Sequence, residues 1–72
     1  MRLKDLREDR DLRQAELAEH LFIKQNTYSQ YENGARQLPV EILIRLSDFY
    51  GVSTDYILGL TDDPTKPPKR SR

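Results

Sequence analysis

The chain reads as a single all-α domain of five short helices. Three observations predict this. No stretch alternates apolar and polar residues with the period of two that a half-buried strand requires, whereas leucine, isoleucine and tyrosine recur three and four apart. Glycine and proline fall almost entirely in the second half, between the apolar segments instead of inside them. There is no cysteine, so 72 residues must close around an apolar core without a disulfide or a thiolate metal site.

The elements follow in order. Leu3 and Leu6, with Leu12 just beyond, mark a first helix over about residues 2–9, with Lys4 and Glu8 spaced as an i,i+4 pair. Leu17, Ala18 and Leu21 form the inner face of a second helix beginning near Gln14. Ile23, Tyr28 and Tyr31 give the buried side of a third, about residues 25–33. Asn33-Gly34 stops it, because glycine takes the left-handed conformation after a helix without steric cost. Pro39 suits the first turn of a fourth helix that runs to about Tyr50 and ends at Gly51. Its apolar residues cover more than one stripe, so it is either central to the core or shares a face with a second molecule. Ser53 caps a short fifth helix closed by Gly59, and Val52 and Ile57 stand at the spacing of a hydrophobic staple. Residues 1–60 form the domain. Residues 61–72, "TDDPTKPPKRSR", lack an apolar period and read as a flexible, basic, proline-rich tail or a truncated linker.

A net charge of zero hides a segregation of sign. Residues 1–13 carry five cations against four anions, residues 37–65 one against five, and residues 66–72 four cations and no anion. Total charge therefore argues neither for nor against a nucleic-acid partner; only cations placed on one face could. No apolar run approaches the roughly 20 residues that span a bilayer, and no signal-peptide pattern opens the chain, so a cytoplasmic protein is the expectation.

The informative unit is "LRQAELAEHLFIKQNTYSQYENG", residues 12–34. Two short helices joined by a tight connection have helix-turn-helix spacing. With the apolar residues turned inward, Gln25, Asn26, Ser29 and Gln30 project from the second of them. Amides suit the reading of DNA, since one glutamine or asparagine can donate to and accept from the N6/N7 edge of adenine at once. A helix fits the major groove, and its N-terminal residues reach deepest.

These residues, followed by "PVEILIRLSDFYGVSTDYILG", closely resemble the lambda-repressor-like, XRE-type (Cro-like) helix-turn-helix transcriptional regulators, over about residues 3–60. The resemblance implies a compact five-helix domain that binds double-stranded operator DNA as a homodimer, in a bacterial or phage-type, nucleoid-associated setting. Matched position by position, it implies base contacts by Gln25, Asn26, Ser29 and Gln30. It implies phosphate contacts by Gln14, Thr27, Asn33 and Arg36, and an internal ion pair between Arg7 and Glu32. Apolar surface on the last two helices, including Ile57 and Leu60, is the candidate dimer seam, with Ile57 equally able to serve the core.

Three positions depart from the family pattern. Phe22 occupies the turn position most often held by glycine, so either the turn is built differently or Phe22 accepts strain to cover the core. Lys24 and Arg13 stand where a capping Ser or Thr is usual, and neither can accept a capping bond. A cation at a helix N-terminus opposes the dipole, a penalty that a DNA phosphate alongside would reverse. Arg13 and Lys24 thus join the expected phosphate contacts.

Other residues have plainer readings. Tyr28 and Tyr31 are core residues with hydroxyls reaching the surface. His20 is the only histidine, so neither a metal site nor general-base chemistry is expected of it. With no Ser/His/Asp set, paired carboxylates or glycine-rich phosphate loop, the chain is not expected to be an enzyme or to need a cofactor or small-molecule substrate. Lys66, Lys69, Arg70 and Arg72 would add nonspecific attraction to DNA or belong to a solvated tail. The function expected is sequence-specific binding of duplex DNA as a transcriptional regulator, a repressor in particular. The alternative is the same fold used as a protein-interaction module, a coactivator or antirepressor partner.

Overall fold

The computed structural model describes residues 1–67, and among them are five α-helices and no strand. They are α1 Leu3–Asp9, α2 Gln14–Leu21, α3 Gln25–Asn33, α4 Val40–Tyr50 and α5 Thr54–Leu58. Their ends follow local chemistry. Pro39 sits one position earlier than expected, as the residue before the first turn of α4, where its carbonyl takes the Leu43 N–H at 3.0 Å. The Ser53 side chain accepts the Tyr56 N–H at 3.0 Å, satisfying one of the donors that a helix N-terminus leaves without a partner.

One core unites the five helices: Leu3, Leu17, Ala18, Leu21, Tyr28, Tyr31, Leu46, Tyr50 and Ile57 are buried, with Leu6, Leu12, Ile23 and Phe49 among those packed on its edge. Each fully buried leucine or isoleucine contributes on the order of 1.5–3 kcal/mol, the main source of stability in a chain this short. The apolar residues of α4 divide between core and surface. Leu46 and Tyr50 enter the core, while Val40 and Ile44, one turn apart on another stripe, stay exposed.

Ile57 is a correction. It is 0 % exposed, enclosed by its own chain, and cannot line a seam with a second copy. The staple position next to Val52 turns it inward, leaving Leu58 and Leu60 as the exposed apolar residues at that end. The spaced pair of Lys4 and Glu8 also fails to close, since no ion pair joins them among the described residues.

Phe22 adopts the left-handed conformation, φ 58° and ψ 42°, yet it is 88 % exposed. The strain is therefore real, but it is not exchanged for core coverage. Its cause is the hydrogen bonding that ends α2: the Phe22 N–H donates to Glu19 O at 3.1 Å and the Ile23 N–H to Ala18 O at 3.0 Å. That pair of bonds needs a left-handed residue at this position, whatever its side chain. Leu21 and Ile23 on either side do the packing.

The two ends of the domain are tied by Arg2. Its Nε donates to Tyr56 O at 2.9 Å, and its Nη2 donates to Thr61 O at 3.0 Å and Asp62 Oδ1 at 2.7 Å. The guanidinium also lies over the Tyr56 ring, 4.5 Å from its centre. Contacts continue past Leu60: Pro64 O accepts the Ser53 N–H at 2.9 Å, and Lys66 pairs with Asp48 at 2.6 Å. Lys69, Arg70 and Arg72 lie outside the described residues.

Candidate nucleic-acid interface

The site is assembled on α3, and α1 and α2 hold α3 in place. Its anchor is the Glu32 carboxylate on the inner side of the last turn. Arg7 Nε donates to Oε2 at 2.7 Å and Nη2 donates to Oε1 at 3.1 Å, while Nη1 reaches Leu12 O at 2.8 Å. Gln14, at the start of α2, donates from Nε2 to the same Oε1 at 3.2 Å. One carboxylate thus joins three helices. Burial alone would raise the Glu32 pKa, but donation from Arg7 and Gln14 outweighs it and holds the group below the usual carboxylate range.

Tyr28 and Tyr50 complete this inner layer. Their hydroxyls are buried with no partner at ordinary hydrogen-bond geometry, though that of Tyr28 is near enough to Glu32 for each to shift the other. Burial first, and then the Glu32 charge, push Tyr28 far above the usual phenol range and Tyr50 to about 12.

The outward side of α3 carries the functional candidates. Gln25, Asn26, Ser29 and Gln30 line one open concavity, and Gln14 from α2 forms its wall. Such a row of amides and a hydroxyl on the leading part of a helix matches the donor and acceptor pattern of base edges. Thr27 is partly buried at the flank. Lys24 precedes α3 in extended conformation, exposed and with no capping bond from its side chain.

The remaining candidates already have internal partners. Asn33 Oδ1 accepts the Ala35 N–H at 2.9 Å, which leaves its amide nitrogen for a ligand. Arg36 Nε donates to Gln30 Oε1 at 2.9 Å. Arg13 shares Glu16 Oε1 between its backbone N–H and its Nε, both at 3.1 Å, the half of a capping box that a cation can make. Those two bonds, the backbone one first, hold Glu16 below the usual carboxylate range.

A second concavity adjoins the first, sharing Gln14 and Ser29 and bounded by Lys4, Arg7, Glu32 and Asn33. Its spacing alone pairs Lys4 with Glu8, whereas the structure places it at this concavity. The available signal was its position one helical turn before Arg7. His20, by contrast, packs its ring against Phe49 with centres 4.5 Å apart, and no metal-binding cluster occurs among the described residues.

A tight left-handed turn between α2 and α3, with polar side chains outward on the second helix, is the arrangement that a family comparison can test. The family model described as helix-turn-helix matches residues 3–57. The chain belongs to the helix-turn-helix family. Similar helix-turn-helix proteins include the uncharacterized HTH-type transcriptional regulator YobD of Bacillus subtilis (strain 168), 44 % identical over 63 residues, covering 88 % of this chain and 56 % of the relative. The HTH-type transcriptional regulator ImmR of the same organism is 45 % identical over 58 residues, covering 81 % and 46 %. The cryptic phage CTXphi transcriptional repressor RstR of Vibrio cholerae is 41 % identical over 51 residues, covering 71 % and 46 %. The chain thus spans about half the length of the curated relatives it matches. No solved structure gives a significant match.

Proposed function

We propose that this helix-turn-helix protein is a sequence-specific regulator of transcription, a repressor, that occupies operator DNA with α3 in the major groove. The observation that carries this reading is the shared concavity of Gln14, Gln25, Asn26, Ser29 and Gln30. In it Gln25, Asn26, Ser29 and Gln30 read base edges. Arg13, Gln14, Lys24, Thr27, Asn33 and Arg36 hold the phosphates on either side. The names of the relatives support regulation, and that of RstR supports repression.

The chain acts as a homodimer, placing two copies of α3 in successive major grooves about 34 Å apart. The exposed Val40 and Ile44 of α4, with Leu58 and Leu60 at the end of α5, supply the apolar surface for that contact. Occupying a site requires no catalysis, and its place is the cytoplasm, on the nucleoid. No helix among the described residues is long and apolar enough to cross a membrane.

A mobility-shift titration across salt concentrations tests the proposal. Steep loss of affinity with salt, together with a protected site of defined length, is the expected result. No binding at low salt would overturn it and favour the interaction-module reading, for which the lack of a cation among the residues lining the concavity is the supporting observation.

A further inference from the structure

Gln30 has a neighbour that decides which end of its amide is available. A glutamine amide carries donors on nitrogen and an acceptor on oxygen, and its two ends are almost the same shape. Arg36 holds one of them: its Nε donates to Gln30 Oε1 at 2.9 Å, and its backbone N–H donates to the Gln30 carbonyl at 3.2 Å. A guanidinium only donates and is never deprotonated in a protein, so the atom facing it has to be the oxygen. Turning the amide over would set N–H against N–H. The charge-assisted bond therefore takes one of the oxygen's two lone pairs and turns the acceptor end of the amide toward Arg36. Nε2 makes no hydrogen bond among the described residues, and the side chain lines the same concavity as Gln25, Asn26 and Ser29.

We propose that Arg36 is a specificity-determining residue: by holding the oxygen end of Gln30, it leaves Nε2 as the end that meets the bases, so that Gln30 selects keto bases, guanine or thymine, over amino bases. This rests on the DNA-binding function proposed above. An unrestrained glutamine pairs with adenine by donating to N7 and accepting from N6 at once. With its oxygen held, Gln30 loses the second of those bonds. Guanine offers O6 and N7, and thymine offers O4, all of them acceptors. Adenine and cytosine present an amino donor at the same height in the groove, where it would meet the Nε2 donors of Gln30. Arg36 is thus a positioning residue for base choice, with its terminal nitrogens still available to a phosphate.

Selection of bound duplexes from a randomised library tests this, using the wild type, Gln30→Ala, Arg36→Met and Arg36→Lys. Gln30→Ala identifies the base pair concerned by flattening the preference at one position. At that position the wild type is expected to favour keto over amino bases by roughly fivefold or more. Arg36→Met cannot donate and frees the amide, so the preference moves toward adenine; Arg36→Lys, still a donor, keeps the keto preference. Loss of a phosphate-contacting cation alone would lower affinity for all sequences alike and leave base identity unchanged. Adenine or cytosine at that position in the wild type, an unchanged keto preference in Arg36→Met, or no position flattened by Gln30→Ala would each overturn the proposal. A wild type that enriches no sequence would instead remove the DNA-binding reading on which it stands.

Discussion

Arg7 and Glu32 meet side-on between α1 and α3, two nitrogens of one against two oxygens of the other, with side-chain exposures of only 12 % and 5 %. A pair so enclosed contributes little net stability over an apolar replacement, because desolvation offsets the attraction. Removing one partner, however, strands the other charge. Arg7→Met or Glu32→Leu alone should therefore cost about 3 kcal/mol or more in urea unfolding, and the double variant much less than the sum. Additive losses in that cycle would show that the two side chains are not coupled.

The same carboxylate contributes to the acid limit of the fold. Its folded pKa lies below the ordinary glutamate value of 4.5, so its contribution is fully present above that value. The contribution falls as pH drops from 4.5 through the folded pKa. At the alkaline end the sign reverses. Tyr28 and Tyr50 are raised, Tyr50 to about 12, so their contribution is intact below 10 and is lost as pH rises above it. Stability measured against pH should show both slopes. Tyr50→Phe should reduce the alkaline one while leaving the acid one in place.

Phe22 holds a left-handed backbone with its side chain in solvent. Phe22→Gly should relieve that strain, less the extra freedom a glycine gains on unfolding, for a net gain of roughly 0.5–1 kcal/mol. In a domain of this size the melting temperature should rise by about 2–8 °C. A lower melting temperature would mean that the exposed ring makes stabilising contacts.

Lys24 separates folding from binding. Lys24→Ser places a side-chain acceptor before α3 where none now exists, and should stabilise the free protein by about 0.5–1 kcal/mol. The same change removes an expected phosphate contact. Affinity should fall evenly across DNA sequences, and the dependence of binding on salt should become shallower by about one phosphate. Unchanged affinity and salt slope would exclude Lys24 from the interface.

Helix α3 was legible because its two sides separate in the sequence: Tyr28 and Tyr31 at helical spacing face in, leaving Gln25, Asn26, Ser29 and Gln30 to face out. Their internal bonds were not legible. Nothing in a linear reading ties Arg36 to Gln30, because the partner that Arg36 reaches depends on how the loop after α3 folds back.

By itself, the sequence determined the all-α class, five helices and nearly all of their ends. Those depend on neighbours a few residues away: a serine before a first turn, a glycine after a last one, and apolar residues three and four apart. Only the tertiary structure decided that Ile57 belongs to the core, that Phe22 faces solvent, and that Arg2 fastens the first helix to Tyr56, Thr61 and Asp62. Each of these is settled by which distant surfaces meet when the core closes, and residues far apart in the chain carry no local pattern that reports their meeting.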